Sequence, residues 1–149
     1  ASALVCASLC ASACTREITL VTRDGVLRAH GARSRVTGRE TGAWTFWYPS
    51  GEPREEGSFE DGRRAGPWLQ RYPSGQRRSF GARAWNPATQ RSEREGVWIF
   101  WHPSGMESAR GVYRAGLREG RWEYTNEDGS LDGVASGEYH ADRKLDGAR

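Results

Sequence analysis

Polar and apolar residues alternate along most of this chain with a period of two, in short runs broken by glycine-bearing turns. That is the pattern of half-buried strands. Residues 17–22 form the first such run, which ends at Asp24-Gly25, a strong hairpin signal. From Gly42 a longer unit recurs. Gly42-x-Trp44 leads to Tyr48-Pro-Ser-Gly51 and a return run that closes at Gly62-x-x-x-Gly66. Gly66-x-Trp68 leads to Tyr72-Pro-Ser-Gly75, and Gly96-x-Trp98 to His102-Pro-Ser-Gly105 and the corner Gly116-x-x-x-Gly120. Gly120-x-Trp122 leads to Asn126-Glu-Asp-Gly129. The opening glycines are 24, 30 and 24 residues apart, and the six extra residues of the second unit fall around Ala84, Trp85, Asn86 and Pro87, as a lengthened strand connection. The expected fold is all-β: an extended antiparallel sheet of about five successive β-hairpin repeats, at about 16–41, 42–65, 66–95, 96–119 and 120–147, forming one domain over 15–149.

Register follows if each hairpin turns through two residues, Ser-Gly or Asp-Gly, in a primed geometry. Trp44 then faces Gly57, Trp68 faces Gly81, Trp98 faces Gly111 and Ile18 faces Gly31, while Trp122 faces Ala135. Each large ring is expected to cover the small residue across its own hairpin, so that Trp98 lies over Gly111. Alternation puts Trp44, Phe46 and Tyr48 on one face with Trp68, Gln70 and Tyr72, then Trp98, Phe100 and His102, then Trp122 and Tyr124. Phe59, Tyr113 and Tyr139 join them from the return strands. This row is the expected core. A buried Trp contributes about 4–6 kcal/mol as an upper estimate, and no single repeat can bury one alone, so the hairpins must stack.

Composition agrees with a sheet rich in turns: the 149 residues include seven Trp, five Tyr, four Phe and 19 Gly. The net charge of +3, spread among acids and almost entirely carried by Arg, supplies no basic stripe, so no nucleic-acid partner is expected. All three cysteines, Cys6, Cys10 and Cys14, lie in an uncharged opening segment of small and apolar residues. Residues 1–14 suit a truncated secretory signal. Its end, Ala11-Ser12-Ala13-Cys14, resembles a bacterial lipobox, with Ala where Leu is usual at the first position. Cys14 is therefore the candidate lipidation site, with ordinary secretion or a buried N-terminal helix as the alternatives. After cleavage no internal thiol is left for a disulfide framework or a cysteine metal site.

Catalytic chemistry has no visible constellation. His30, His102 and His140 are isolated, and His102 occupies a turn-flanking position held by Tyr in two other repeats. The acids Glu55, Glu56, Asp61, Glu93, Glu95 and Glu107 sit among arginines and read as a solvated, charge-balanced surface. The Gly-x-x-x-Gly corners lack the Lys-Ser/Thr of a phosphate-binding loop. No cofactor or metal is expected. The face opposite the core carries Val21, Trp47, Arg71, Trp101 and Thr125 at equivalent positions. Trp47 and Trp101, roughly 19 Å apart with Arg71 between them, are candidate partner-binding residues for a protein, a sugar polymer or a lipid headgroup. The other reading is that sheet curvature, the 84–95 extension or a further domain covers them.

The unit Gly-x-Trp-x-(Phe/Gln/Tyr)-x-(Tyr/His)-Pro-Ser-Gly, followed by an aromatic and Gly-Arg-x-x-Gly, resembles the variant class of MORN (membrane occupation and recognition nexus) repeats, over about residues 16–147. Bacterial members are often labelled YwqK-type antitoxins. The resemblance implies a non-enzymatic chain of β-hairpins that holds a protein or membrane partner, and the antitoxin label implies a toxin as that partner. Together with the leader it implies a scaffold anchored by lipid in the bacterial cell envelope, or else secreted or periplasmic. A cell-wall carbohydrate-binding module is the alternative, since Trp- and Tyr-rich repeats also build such proteins. The second repeat departs from the pattern, with Gln70 for the central aromatic and Ser92 for the corner glycine.

Overall fold

The computed structural model describes residues 14–145. Its regular structure is one antiparallel sheet of eleven strands, each hydrogen-bonded to its neighbours in chain order. The strands are β1 (Thr15–Val21), β2 (Leu27–Ser34), β3 (Glu40–Trp47), β4 (Pro53–Glu60), β5 (Arg63–Arg71) and β6 (Arg77–Asn86), then β7 (Arg91–Trp101), β8 (Glu107–Arg114), β9 (Leu117–Tyr124), β10 (Gly137–His140) and β11 (Arg143–Lys144). The hairpin repeats expected from the alternation are therefore present as successive strand pairs. The long second connection extends the hairpin itself, since β6 and β7 stay paired out to Asn86 and Arg91.

The expected pairs Trp44–Gly57, Trp68–Gly81, Trp98–Gly111 and Ile18–Gly31 all form. The turn that produces them is not the two-residue loop. Tyr48 donates its backbone N–H to Glu52 O at 2.8 Å and Gly51 donates to Tyr48 O at 3.0 Å, with Gly51 at φ 93°. Pro49, Ser50 and Gly51 thus form a three-residue loop with glycine in the left-handed position. It shifts the pairing by one residue, and the extra residue Arg54 on the return strand shifts it back before Glu55 pairs with Phe46. The same compensation recurs in β5–β6 and β7–β8. Two-residue loops occur instead at the corners between repeats, where Asp61 and Gly62 have φ of 49° and 76°, and Ala115 and Gly116 have 48° and 82°.

Trp122 pairs with Gly137 rather than Ala135. A second turn follows the Asp128-Gly129 loop, in which Asp132 Oδ1 accepts from the N–H groups of Val134 and Ala135 at 2.9 Å. That turn takes up the two additional residues.

Trp68 and Trp98 each have a glycine in register on both sides: Gly57 and Gly81 both pair with Trp68, and Gly81 and Gly111 both pair with Trp98. The indole covers the glycine on its N-terminal side, not the one across its own hairpin. A Cβ placed on Gly81 would come within 2.4 Å of the Trp98 ring, and one on Gly111 within 2.1 Å of Trp122. The opening glycine of Gly-x-Trp accounts for the direction. Gly66, Gly96 and Gly120 have φ of 66°, 71° and 68°, and with the following residue each makes a bulge against the preceding strand. Bulges re-aim side chains, and here the ring tips back over the preceding strand. Trp44, Trp98 and Trp122 then donate Nε1–H to Ala32 O, Ala82 O and Val112 O at 3.1, 2.9 and 3.0 Å. Trp68 Nε1 is buried without a partner.

The aromatic face buries itself as a layer, with Trp68, Trp98 and Trp122 each only 1% exposed. Phe59 stands edge-on between Trp44 and Trp68, and Tyr113 between Trp98 and Trp122, with centroids 4.9–6.2 Å apart. Such edge contacts add about 0.5–1.5 kcal/mol beyond burial. A second set of ties joins the turns. Tyr48 Oη–H donates to Arg71 O at 2.7 Å, Tyr72 Oη–H to Trp101 O at 2.8 Å, and His102 Nε2–H to Thr125 O at 2.6 Å. Each reaches the residue just before the equivalent turn of the next repeat. His102 substitutes for tyrosine because its ring nitrogen supplies the same donor.

Candidate interaction surfaces

The face opposite the aromatic layer gathers an apolar patch from three strands. Leu69 of β5 pairs with Phe80 of β6, and Phe80 with Ile99 of β7, so the three side chains form one cross-strand row. Trp101 lies two residues beyond Ile99 on the same face, and the Arg77 guanidinium stands 6.0 Å from its ring centre. Together these five residues line a depression of about 230 Å³. Phe80 is 43% exposed, and the neighbouring Val97 and Val112 are also exposed. Ion pairs frame the patch: Arg110 with Glu107 at 2.8 Å, Arg121 with Glu123 at 3.2 Å, and Arg71 with Glu56 at 3.3 Å.

Of the residues singled out in the sequence, Trp101 belongs to this patch. Arg71 is turned to Glu56 and to Gly75 O, which its guanidinium meets at 3.4 Å. Trp47 ends β3, four strands away from β7, and lies outside the patch. Trp47 of β3, Arg71 of β5 and Trp101 of β7 are spread over every second strand, with Arg71 between the two tryptophans, and the cation at the Trp101 ring is Arg77. The extension does not cover this face with its own tryptophan, because Trp85 is packed under Arg63 with the guanidinium 3.9 Å from the ring centre. Sequence reasoning missed Leu69, Phe80 and Ile99. The signal was the same alternation that put Trp101 on this side, applied two residues earlier in β5 and β7 and to the strand paired between them.

On the aromatic face a shallow groove of about 580 Å³ is lined by Arg94, Phe100, His102, Tyr113, Tyr124 and Asp132, among others. Beside it the second repeat replaces aromatics with polar groups. Glu55 is 6% exposed, which corrects its assignment to a solvated surface. It stands where other repeats carry Ala29, Ser79 or Ala109, all buried, because it is paired with Phe46 and shares the aromatic face with Gly57. Arg64 grips it with Nη1 and Nη2 at 3.0 and 2.6 Å, and Gln70 donates from Nε2 at 3.3 Å. Ser79 Oγ–H completes the chain by donating to Gln70 Oε1 at 2.9 Å. Gln70 is thus matched to a buried carboxylate. Burial alone would push the Glu55 carboxyl up, but the hydrogen bonds and charge of Arg64 outweigh it and hold it below the ordinary range. Burial, with Arg64 and Arg94 nearby, lowers the Arg83 guanidinium.

The histidines are engaged singly: His30 Nδ1 with Thr19 Oγ1 at 3.0 Å, His140 Nδ1 with Glu119 at 3.0 Å, and His102 in the inter-repeat bond above. Among the described residues no group of three or more His, Cys, Asp or Glu side chains is placed to hold a metal ion. Cys14 immediately precedes β1, and its carbonyl accepts from Arg35 N–H at 2.9 Å. The rest of the expected leader, including Cys6 and Cys10, lies outside the described residues.

The family model described as MORN repeat variant matches residues 40–61, which is the β3–β4 hairpin with the start of its corner. The Trp-over-Gly packing and the turn-to-turn bond of this hairpin recur in the hairpins that follow it. No curated protein matches the chain.

Proposed function

We propose that this chain is a non-catalytic repeat scaffold that binds a protein partner through the face carrying Leu69, Phe80, Ile99 and Trp101. The observation that carries the reading is the exposed apolar row across β5, β6 and β7, with Phe80 43% exposed on a sheet that has no second layer among the described residues. Exposed apolar clusters rimmed by charge are the usual mark of protein contact surfaces. A sugar ring is better served by a flat aromatic platform. Here aliphatic Leu69 and Ile99 flank Phe80 and share the depression with Trp101, a mixed apolar lining that favours an apolar side chain of a protein over the carbohydrate alternative. A toxin, neutralised by occlusion, is one such partner. Lipidation of Cys14 belongs to the same proposal, because an acyl anchor immediately before β1 would hold the sheet at the envelope surface.

The test is affinity purification of the full chain from the native cell envelope, comparing wild type with the Phe80→Ser, Trp101→Ser double variant. A discrete protein recovered with wild type and lost with the variant, at unchanged circular dichroism, is the expected result. The same proteins recovered by both, or peptidoglycan binding lost through these two changes, would overturn the reading. Metabolic lipid labelling should mark wild type and not Cys14→Ser; label retained on the serine variant would refute the anchor.

A further inference from the structure

The corners of the aromatic face hold a column of arginines, and in all but one place the chain supplies a carboxylate to meet them. Arg33 meets Glu40 at 2.7 Å, Arg64 meets Glu55 at 2.6 Å and Arg118 meets Asp142 at 2.9 Å. The exception lies at the second repeat. Arg83 stands two residues beyond Gly81, where the equivalent residues after Gly57, Gly111 and Gly137 are Phe59, Tyr113 and Tyr139. Its cross-strand partner is Arg94. Both guanidiniums lie against one ring, 5.8 and 4.8 Å from the centre of Trp98.

Like charges placed directly opposite one another destabilise a sheet. The acceptors the chain gives this pair are neutral: Arg83 Nη1 donates to Ser92 O at 3.0 Å, and Arg94 Nη1 to Tyr113 Oη at 3.0 Å. Among the described residues no carboxylate lies within ion-pair distance of either, since Glu55, the acid whose charge Arg83 feels, is held by Arg64. A guanidinium has five N–H donors, so most remain to be used. Both residues are reachable from solvent. Arg94 lines the groove of about 580 Å³, and Arg83 with Arg64 lines a second opening of about 460 Å³.

We infer that Arg83 and Arg94 form an acceptor for a carboxylate side chain from an acidic segment of a protein partner. The class of ligand is indicated by the fold's own usage: each of the other arginines named above is satisfied by an Asp or Glu carboxylate. The planar fork suits a carboxylate in two-point contact, and the apolar Trp98 floor strengthens the pair by excluding water. This site lies on the opposite face from the Phe80 patch and does not depend on it.

The experiment uses the ¹⁵N-labelled full chain and follows the Trp98 indole N–H and the arginine Nε–H signals. The probes are an acetylated, amidated tetra-glutamate peptide, its tetra-glutamine counterpart and inorganic phosphate, all at equal ionic strength. Saturable shifts of Trp98 and Arg94 with tetra-glutamate, absent with tetra-glutamine and weaker with phosphate, are expected. Arg83→Tyr installs the residue found in two other repeats, so it should fold while weakening the peptide by about tenfold, the loss of one charge-assisted pair. Arg94→Gln should act alike, and Arg77→Gln on the other face should leave binding unchanged. An unchanged peptide affinity in Arg83→Tyr, a phosphate response equal to that of tetra-glutamate, or no shift at all would each overturn the inference.

Discussion

Replacing Gly81 with alanine tests the packing that defines the repeat. Gly81 has no left-handed backbone requirement, so on conformational grounds alone alanine would stabilise by about 0.4–1 kcal/mol through the unfolded chain. The added Cβ, however, would lie 2.4, 2.5 and 2.5 Å from three ring atoms of Trp98. Carbon contacts are comfortable only near about 3.5–4.0 Å, so the indole must withdraw by roughly 1 Å. It is 1% exposed and tied to Ala82 O at 2.9 Å, which makes the movement costly. Overpacking costs about 1–3 kcal/mol, and losing the indole bond adds about 1 kcal/mol. The expected net destabilisation is about 2–3 kcal/mol. Urea unfolding followed by tryptophan fluorescence measures it, provided the slope stays that of wild type. Gly57→Ala is the internal comparison. Its Cβ would come within 2.2 Å of Trp68, but that indole has no hydrogen bond to lose, so it should cost less by about 1 kcal/mol. Gly133→Ala, with open space around it and no left-handed φ, should keep only the conformational gain of about 0.4–1 kcal/mol. A Gly81→Ala protein as stable as wild type would refute the proposed role of the glycine.

Glu55→Gln should destabilise by about 2–3 kcal/mol, because it leaves the half-buried Arg64 without its counter-charge. The folded-state pKa of Glu55 is depressed, so its contribution is complete above the ordinary glutamate value near 4.5 and is lost as pH falls through the lower folded value. Acid unfolding of Glu55→Gln should therefore show a shallower loss of stability in that window than wild type, and equal slopes would count against the buried pair. Tyr72→Phe removes the bond to Trp101 O and should cost about 1 kcal/mol in urea unfolding, whereas a neutral result would mean that the turn-to-turn bonds do not couple repeats. Ala115→Gly should stabilise by about 1 kcal/mol, since alanine there holds a φ of 48°, and a lower unfolding midpoint would contradict that backbone assignment.

Alternation alone was enough to read the faces of the strands, because period two is a local property. Pairing register was legible for a subtler reason. The three-residue loop at Pro49, Ser50 and Gly51 and the extra residue Arg54 cancel, so a wrong turn assumption returns the right partner for Trp44. Where nothing cancels, as after Asp128-Gly129, the register moves by two residues and Gly137 replaces Ala135 opposite Trp122. The direction in which each indole leans was not legible from alternation. Trp68 and Trp98 each have a glycine on both sides, and the choice between them rests on the bulge formed by positive-φ glycines such as Gly96. Glu55 was misread for a different reason: it shares a face with Gly57 and Phe59, but a carboxylate among arginines reads as surface until Arg64 and Gln70 are seen to satisfy it there. On the candidate surface Trp101 was visible as an unexplained large residue. Leu69 and Ile99 were not, because an aliphatic residue in a strand attracts no notice until the second layer that would bury it proves absent from the described residues.

The second repeat gathers several departures from the common pattern, and they are coupled physically. Replacing an aromatic by Gln70 would leave an amide on an apolar floor; Glu55 and Ser79 partner it, and Arg64 balances the acid. Arg83, in the place of an aromatic, then stands beside both Arg64 and Arg94, and Glu55, the acid whose charge it feels, is already engaged by Arg64. An all-aromatic second repeat would have joined the cluster around Trp44 and Trp68 to the one around Trp98 and Trp122. The chain instead interrupts its core with a charged break while keeping the Trp68–Gly81–Trp98 ladder intact beneath it. Folding alone does not require that break, because the first and third repeats fold without it. Its cost is a like-charge pair, and a ligand that removes the cost must carry negative charge. Binding of such a ligand should therefore raise the unfolding midpoint of wild type more than that of Arg83→Tyr. An equal rise in both would show that the charged break is incidental to recognition.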